Sequence, residues 1–319
     1  MPIHHATLHQ LKIFDAVARH LSFARAAEEL YLTPPALSIQ VKQLAGIIGQ
    51  PLFEQIGKKI SLTAAGELSW ATCQAVLNRL DQLTQELAAL QGLEKGSFKL
   101  ATVATVKYFI PRLLGDFCTK HSGIDAILYM GNRESLLERL ARNQDDLYIL
   151  GQPPEHMNVV TKPFADNLLV VVASPSHPLA QEKNIDPSRL RDAPFILREP
   201  GSGTRLAFEK FFEQHGVVLK ARMELSSNEA VKQVVAGGMG VAVLSASTLR
   251  AELASGELVI LDVCGLPLKR KWYVVYPAGK QLTPASKAFM EHLFNAAHSI
   301  DHQQSHAIAV SAGHSPPLG

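Results

Sequence analysis

Four short polar clusters stand where helices are expected to begin: Thr105 with Lys107, Asn132 with Arg133, Ser202 to Arg205, and Ser226 to Asn228. A helix start offers free backbone N–H groups and the positive end of the helix dipole, so hydroxyls, amides and cations gathered there suit a phosphate or a carboxylate. The candidate ligand-binding residues are Thr102, Thr105, Lys107, Asn132, Ser202, Thr204, Arg205 and Ser227, with Arg205 able to hold an anion bidentately. Each position also has a structural use. Asn132, Thr204 and Ser226 are good caps, and Ser226 with Glu229 would form a capping box. Catalytic signatures are missing: there is no HExxH, no GxSxG around Ser202, no GxxxxGK[ST], and no paired Cys or His at metal spacing. The sequence therefore implies a small anionic ligand, no cofactor and no metal. An enzyme acting on an anionic metabolite is the competing class, and it would need an acid/base pair or nucleophile that the sequence does not advertise.

A second set of residues lies near the N-terminus, in "SFARAAEELYLTPPALSIQVKQL", residues 22–44. Ser22 can cap a helix whose Phe23, Ala26, Ala27 and Leu30 share one face, and Thr33 can cap the next, with Pro34 and Pro35 in its first turn. At 100° per residue, Leu37, Val41 and Leu44 fall on one side of that next helix, and Pro34, Pro35, Ser38, Ile39 and Lys42 fall on the other. A helix, a tight turn and a second helix presenting small, hydrogen-bonding and cationic groups match the way a helix-turn-helix reads a major groove. The following "PLFEQIGKKISLT" reads as a hairpin turning at Gly57-Lys58-Lys59, a wing whose Lys58 and Lys59 suit phosphate contacts. The candidate DNA-contacting residues are Thr33, Pro34, Pro35, Ser38, Ile39, Lys42, Lys58 and Lys59. Charge adds little, because residues 1–66 carry six Lys/Arg against four Asp/Glu.

These residues need elements to hold them. Thr7 and Gln10 form a capping box ahead of a first helix over residues 8–20. Thr63 can cap a long helix in which Cys73, Val76, Leu80, Leu83, Leu87 and Leu90 alternate three and four apart, a heptad seam that predicts a homodimer. "QGLEKGS", residues 91–97, looks like a hinge. From Phe98 onward strands and helices alternate, which implies mostly parallel sheet in two α/β lobes joined by crossing strands, with a cleft between them. The fold class is α/β, and the expected divisions are 1–64 for the winged helix-turn-helix, 65–92 for the linker helix and 93–300 for the two-lobed domain. Its first lobe takes about 97–167 and 271–300 and its second about 168–270. The tail "HQQSHAIAVSAGHSPPLG" has no regular ligand spacing, so residues 301–319 are expected to be disordered.

At 319 residues, 47% hydrophobic and 19% charged, the chain fits a globular α/β protein, and a net charge of +2 is too small to argue for a polyanion partner. Three scattered cysteines, Cys73, Cys118 and Cys264, suit buried thiols in a reducing cytoplasm. The longest apolar run, Leu168 to Ala173, is far short of a membrane span. No secretory signal opens the chain, which disfavours a solute-binding protein.

The run "LHQLKIFDAVARHLSFARAAEELYLTPPALSIQVKQL", the wing "GQPLFEQIGKKISLTAAG", and later "REPGSGTR" and "VVAGGMGVAVLS" resemble the LysR-type transcriptional regulators, to about residue 300. The resemblance implies a winged helix-turn-helix, a dimerising linker helix and an effector domain similar to periplasmic binding proteins, assembled as a dimer or tetramer on double-stranded DNA. By position, Pro35 and Ser38 match residues that approach bases, and Lys58 and Lys59 match wing residues near the backbone. Pro34 and Ile39 depart from the glutamine and arginine common there; Ile39 could instead touch a thymine methyl. "LHQLKIFDAVARH", "DDLYILGQPPEH" and "REPGSGTR" look most like the branch that regulates Rubisco and inorganic-carbon operons. Effectors in that branch tend to be phosphorylated or acidic carbon-fixation intermediates.

Overall fold

The computed structural model of the chain describes residues 3–56, 59–90 and 95–311. The chain divides into two compact units, Met1–Gln91 and Gly92–Gly319.

In the first unit, helices α1 (Leu8–His20), α2 (Phe23–Leu30) and α3 (Pro34–Ile48) precede a hairpin of β1 (Phe53–Ile56) and β2 (Lys59–Leu62), and α4 (Ala64–Leu90) follows. The Thr7–Gln10 capping box forms at α1, and the Ser22 hydroxyl accepts from Arg25 N–H at α2. Thr33 occupies the N-cap of α3 but makes no side-chain cap bond; Pro35, at the second helical position, has removed one of the two N–H groups such a cap serves. Ile13, Ala16 and Val17 of α1 bury against Ala26 and Ala27 of α2 and Leu37 and Val41 of α3. The two alanines leave room for a close helix approach. Tyr31 ends α2 at φ 54°, a costly left-handed position for a bulky side chain. The turn is fixed by Leu32 N–H donating to the Ala27 carbonyl at 2.9 Å.

Helix α4 starts against the same unit. Thr63 Oγ1 accepts from Gly66 N–H and donates to the Pro51 carbonyl, and a Cβ on Gly66 would meet the Leu52 carbonyl oxygen at 2.0 Å. Only glycine permits that approach. Trp70 Nε1 donates to Asp15 at 2.9 Å, and Cys73 buries beside Phe14, Leu44 and Leu52. Cys73 was expected in the seam and instead belongs to the unit's own core. Its burial pushes the thiol up to about 12. Beyond it, Val76, Leu80, Leu83 and Leu87 are exposed large apolar side chains on one stripe. The Leu90 side chain lies outside the described residues.

The second unit runs β3 (Gly96–Val103), α5 (Ile110–Lys120), β4 (Ile124–Gly131), α6 (Arg133–Ala141), β5 (Leu147–Leu150) and β6 (Val159–Ala173). It continues with β7 (Phe195–Arg198), α7 (Gly203–Gln214), β8 (Ala221–Leu225), α8 (Asn228–Ala236), β9 (Ala242–Ser245) and α9 (Arg250–Ser255). It ends with β10 (Val259–Ile260), β11 (Leu268–Pro277), α10 (Pro284–Asn295) and α11 (Ala297–Ser311). The expectation of mostly parallel sheet needs correction. Strand β3 lies parallel to β4 and β5, and β7 to β8, but β6 and β11 are a long antiparallel pair, and β9 and β10 add to β6 antiparallel. The two long strands carry the chain between cores. Phe164 and Ala165 of β6 pack with Trp272 and Val274 of β11 in one core, whereas β6 from Leu169 onward packs with Phe195, Phe208 and Val243 or with Val231 and Leu244.

The tail expected to be disordered from residue 301 is helical to Ser311. Ile300 and Gln304 are buried, and Ile308 packs beside Val170 and Leu258. The stripe escaped notice in the sequence because its central member is an amide. Cys264, taken to be a buried thiol, is exposed.

Candidate functional site

In α3, Leu37, Val41 and Leu44 are buried, while Thr33, Pro34, Pro35, Ser38, Ile39 and Lys42 are exposed together on the opposite face. Ile39, at 56% exposure, presents more than half of its surface to solvent. Strands β1 and β2 pair antiparallel from Phe53↔Leu62 to Ile56↔Lys59. Lys59 therefore opens β2, exposed; Lys58 lies outside the described residues.

In the second unit a cavity of about 460 Å³, counted with its open mouth, is lined from β3 and the turn after it, the starts of α6 and α7, and the crossing strands. Of the eight sequence-predicted ligand residues it brings together four: Thr105, Asn132, Ser202 and Thr204. The other four do not line it. Thr102 is fully buried in β3, its hydroxyl without a hydrogen-bond partner among the described residues. Lys107 pairs with Glu229 at 3.2 Å. Arg205 donates to Glu209 at 2.7 Å, Glu224 at 3.0 Å and the Arg198 carbonyl at 2.9 Å, which ties α7 to β7 and β8. Ser227 caps α8, accepting from Ala230 N–H.

The helix starts are used differently from what the sequence suggests. Asn132 does cap α6, accepting from Ser135 N–H at 2.9 Å. Thr204 lies inside α7 rather than at its cap, and the N-cap residue Ser202 makes no side-chain cap bond, so the α7 N-terminus keeps donors for a ligand. The Ser226–Glu229 box does not form, since the N-cap of α8 lies one residue later, at Ser227. Glu229 turns instead to Tyr108 Oη at 2.6 Å and to Lys232 at 2.8 Å. Burial alone would raise its carboxyl, but bonds from Lys232, Tyr108 and Lys107 hold it at about 2.

The cations that line the cavity are Arg133, Arg198 and Arg270, of which only Arg133 stood in a predicted cluster. Arg198 is neutralised by Glu199, which accepts from its Nε and Nη2 at 2.8 and 2.9 Å, and Arg198 also donates to Asn228. Arg270 donates to the Gly203 carbonyl at 2.7 Å and to the Gly151 carbonyl and Gln152 side chain at 3.0 and 3.1 Å. Arg133 donates to the Gln152 carbonyl. Among the described residues neither Arg133 nor Arg270 has a carboxylate in hydrogen-bond or ion-pair contact. Burial pushes both guanidinium groups below their usual values; the Arg133 charge pushes Arg270 further, and Glu155 offsets part of the effect at Arg133. Two guanidinium groups that stay charged in proteins thus share one cavity at mutual cost. Trp272, buried beside them, has an indole N–H with no acceptor among the described residues.

A signal for Arg270 was present in the sequence. In "LKRKWYVVYP" the alternation puts Arg270 in phase with Trp272 and Val274, which are buried, while Lys269 and Lys271 are exposed. A cation on the inward parity of a strand is the anomaly to look for. Asn167 and Arg198 are likewise polar residues within buried runs of β6 and β7. No signal singles out Gln152.

Residues 8–67 match the bacterial regulatory helix-turn-helix protein model, lysR family, and residues 91–297 match the LysR substrate binding domain. The chain belongs to the LysR family. It is a DNA-binding transcriptional regulator rather than an enzyme, as are its relatives. This regulator is 75% identical over 296 residues to the RuBisCO operon transcriptional regulator of Acidithiobacillus ferrooxidans, covering 93% of the chain and 96% of the relative. It is 50% identical over 289 residues to the HTH-type transcriptional activator CmpR of Synechocystis, covering 91% and 95%. The regulatory domain of Synechocystis CcmR, solved in complex with 2-PG, is 49% identical and superposes with a TM-score of 0.62 over 64% of this chain and 98% of that one. A full-length OxyR from Pseudomonas aeruginosa, 25% identical, matches 99% of this chain and 100% of that one with a TM-score of 0.72. No helix among the described residues is long and apolar enough to cross a membrane, and no group of three or more His, Cys, Asp or Glu there could hold a metal ion.

Arg205→Ala separates the two roles open to that side chain. It should lower the melting temperature by the equivalent of about 1 kcal/mol, since its carboxylate partners are partly solvated, and leave ligand titration unchanged. Lost ligand affinity at unchanged stability would restore Arg205 to the site.

Proposed function

We propose that this regulator controls carbon-fixation or inorganic-carbon uptake genes from the cytoplasm, binding operator DNA as a homo-oligomer and responding to a small phosphorylated or carboxylate metabolite of the 2-phosphoglycolate class. The observation that carries the ligand class is the pair Arg133 and Arg270, two half-buried cations lining one cavity, neither paired to a carboxylate among the described residues. An anion there would relieve their repulsion and gain charge-assisted hydrogen bonds, with the open α7 N-terminus and Ser202, Thr204, Thr105 and Asn132 as further donors. The likeness to CcmR, solved with 2-PG, supports the same chemistry. Footprinting on the DNA upstream of the protein's own gene, with and without 2-phosphoglycolate, tests the reading. Protection whose extent changes with the ligand is expected, and an identical footprint in both conditions would remove 2-phosphoglycolate as effector.

On the DNA side, Ser38, Pro35 and Ile39 read base edges, while Thr33, Pro34, Lys42, Lys58 and Lys59 approach the backbone. Ser38→Ala should weaken operator binding by roughly 1–3 kcal/mol and relax the sequence preference at one position. Lys59→Ala should weaken binding to every sequence and lower the salt slope by about one per subunit. An unchanged slope would take Lys59 off the phosphates.

A further inference from the structure

Strand β6 is paired with β11 from Val159 to Leu169 and with β9 only from Leu169 to Val172. At Asp166–Leu168, where it leaves one core and enters the other, its second edge lacks a strand among the described residues. Helix α11 fills that edge. Gln304, 1% exposed, accepts from Leu168 N–H at 3.1 Å and donates to the Asp166 carbonyl at 2.7 Å, as a peptide group of an adjacent strand would. Asp301 takes the remaining Asp166 N–H at 2.6 Å. Residues 166 and 168 point their backbone groups to the same edge, so all three bonds hold one side of the crossing point. Between them stands Asn167, whose amide lines the cavity and accepts from Ser245 Oγ at 2.9 Å. The helix spans the crossing as well, with Ile300 in the core of Phe98 and Trp272 and Ile308 against that of Val170 and Leu244. Most of α11 lies beyond the residues that the family's domain model covers, which end at 297.

We propose that α11 is a brace on the crossing strand, and that Gln304 is a positioning residue for the effector cavity, fixing the backbone that aims Asn167. The proposal rests on the reading of that cavity as the effector site. A backbone polar group left unpaired in the interior is costly, so without Gln304 the strand would relax toward whatever partner it could find. The cavity wall would lose its single arrangement.

The test uses the full-length protein and two variants. Gln304→Leu keeps the approximate volume and removes both bonds. Ile308→Ala loosens the packing of the same helix, where Ile308 meets Val170, and leaves both Gln304 hydrogen bonds to the strand in place. In Gln304→Leu, hydrogen exchange should quicken about tenfold at Leu168 and across the cavity-lining residues 151–152 and 270–272, and calorimetric affinity for 2-phosphoglycolate should fall about tenfold. Ile308→Ala should lower the melting temperature and do neither. Quickened exchange confined to Leu168, or equal effects of the two variants on exchange and affinity, would make α11 packing alone and overturn the brace. If the unsubstituted protein does not bind 2-phosphoglycolate, the ligand assignment fails by itself, and the exchange comparison still decides the brace.

Discussion

Arg133→Met should lose most of its affinity for 2-phosphoglycolate while becoming no less stable. The guanidinium lies half-buried at the first residue of α6, donating to the Gln152 carbonyl, with Glu155 acting on its charge and a second cation, Arg270, lining the same cavity. Removing it takes away a charge-assisted donor to the ligand, worth roughly 1.5–3 kcal/mol or about a 10- to 150-fold rise in Kd. It also removes a repulsion that the folded protein carries, so the melting temperature of the unliganded variant should hold or rise. A residue kept for packing would show the opposite sign. Arg270→Met should cost at least as much affinity, but with a loss of stability, because the carbonyls of Gly203 and Gly151 lose their donor. The double variant should bind operator DNA and show no ligand response at all, since an effector acts only through its different affinities for the protein's states. Ligand should raise the melting temperature of the unsubstituted protein and not that of the double variant. Affinity retained in both single variants, measured by calorimetry on the full chain, would sink the arginine pair as the anion site.

The difference between Arg205 and Arg270 shows where the sequence was legible. Arg205 follows a glycine-rich turn at a helix start, and local pattern nominated it; Glu209, one turn on in the same helix, and the tertiary neighbour Glu224, nineteen residues on, claimed it. Arg270 sits in a strand, where alternation carries the information, and its long-range partners Gly151 and Gly203 could not be read from its neighbourhood. The helix-turn-helix was easier because its determinants are local: Thr7 with Gln10, Ser22, the two prolines, and the three-and-four spacing of Leu37, Val41 and Leu44. The proportion of parallel sheet was misjudged for a related reason. Strand β6 opens with "VVTKPFAD", whose mixed polarity hides a strand that is exposed in its first half and buried in its second. Gln304 was lost to the same rule in reverse, a polar side chain buried because it completes a sheet edge.

Leu83→Asp should dissociate the dimer and abolish operator binding while leaving the protomer folded. The argument starts from the exposed stripe Val76, Leu80, Leu83 and Leu87 on α4, spaced four, three and four apart, with Leu83 at 44% exposure in the single chain. A heptad stripe of this kind buries itself by meeting a second helix, and a carboxylate placed at its middle would be desolvated without a partner, which is strongly unfavourable. Two reading helices joined on one duplex bind as a bivalent unit, so their separation should cost on the order of 100-fold or more in operator affinity. The protomer should survive because Leu83 contributes nothing to the core around Cys73. Cys73→Asp gives the contrast: that side chain is 2% exposed beside Phe14, Leu44 and Leu52, so its substitution should unfold the DNA-reading unit itself. Leu83→Lys completes the set. If Leu83→Asp acted by repelling DNA, the lysine would spare binding; if it acts by breaking the seam, both charges should give monomers in sedimentation at micromolar concentration. A Leu83→Asp protein that still sediments as a dimer would show that α4 is not the main contact between subunits.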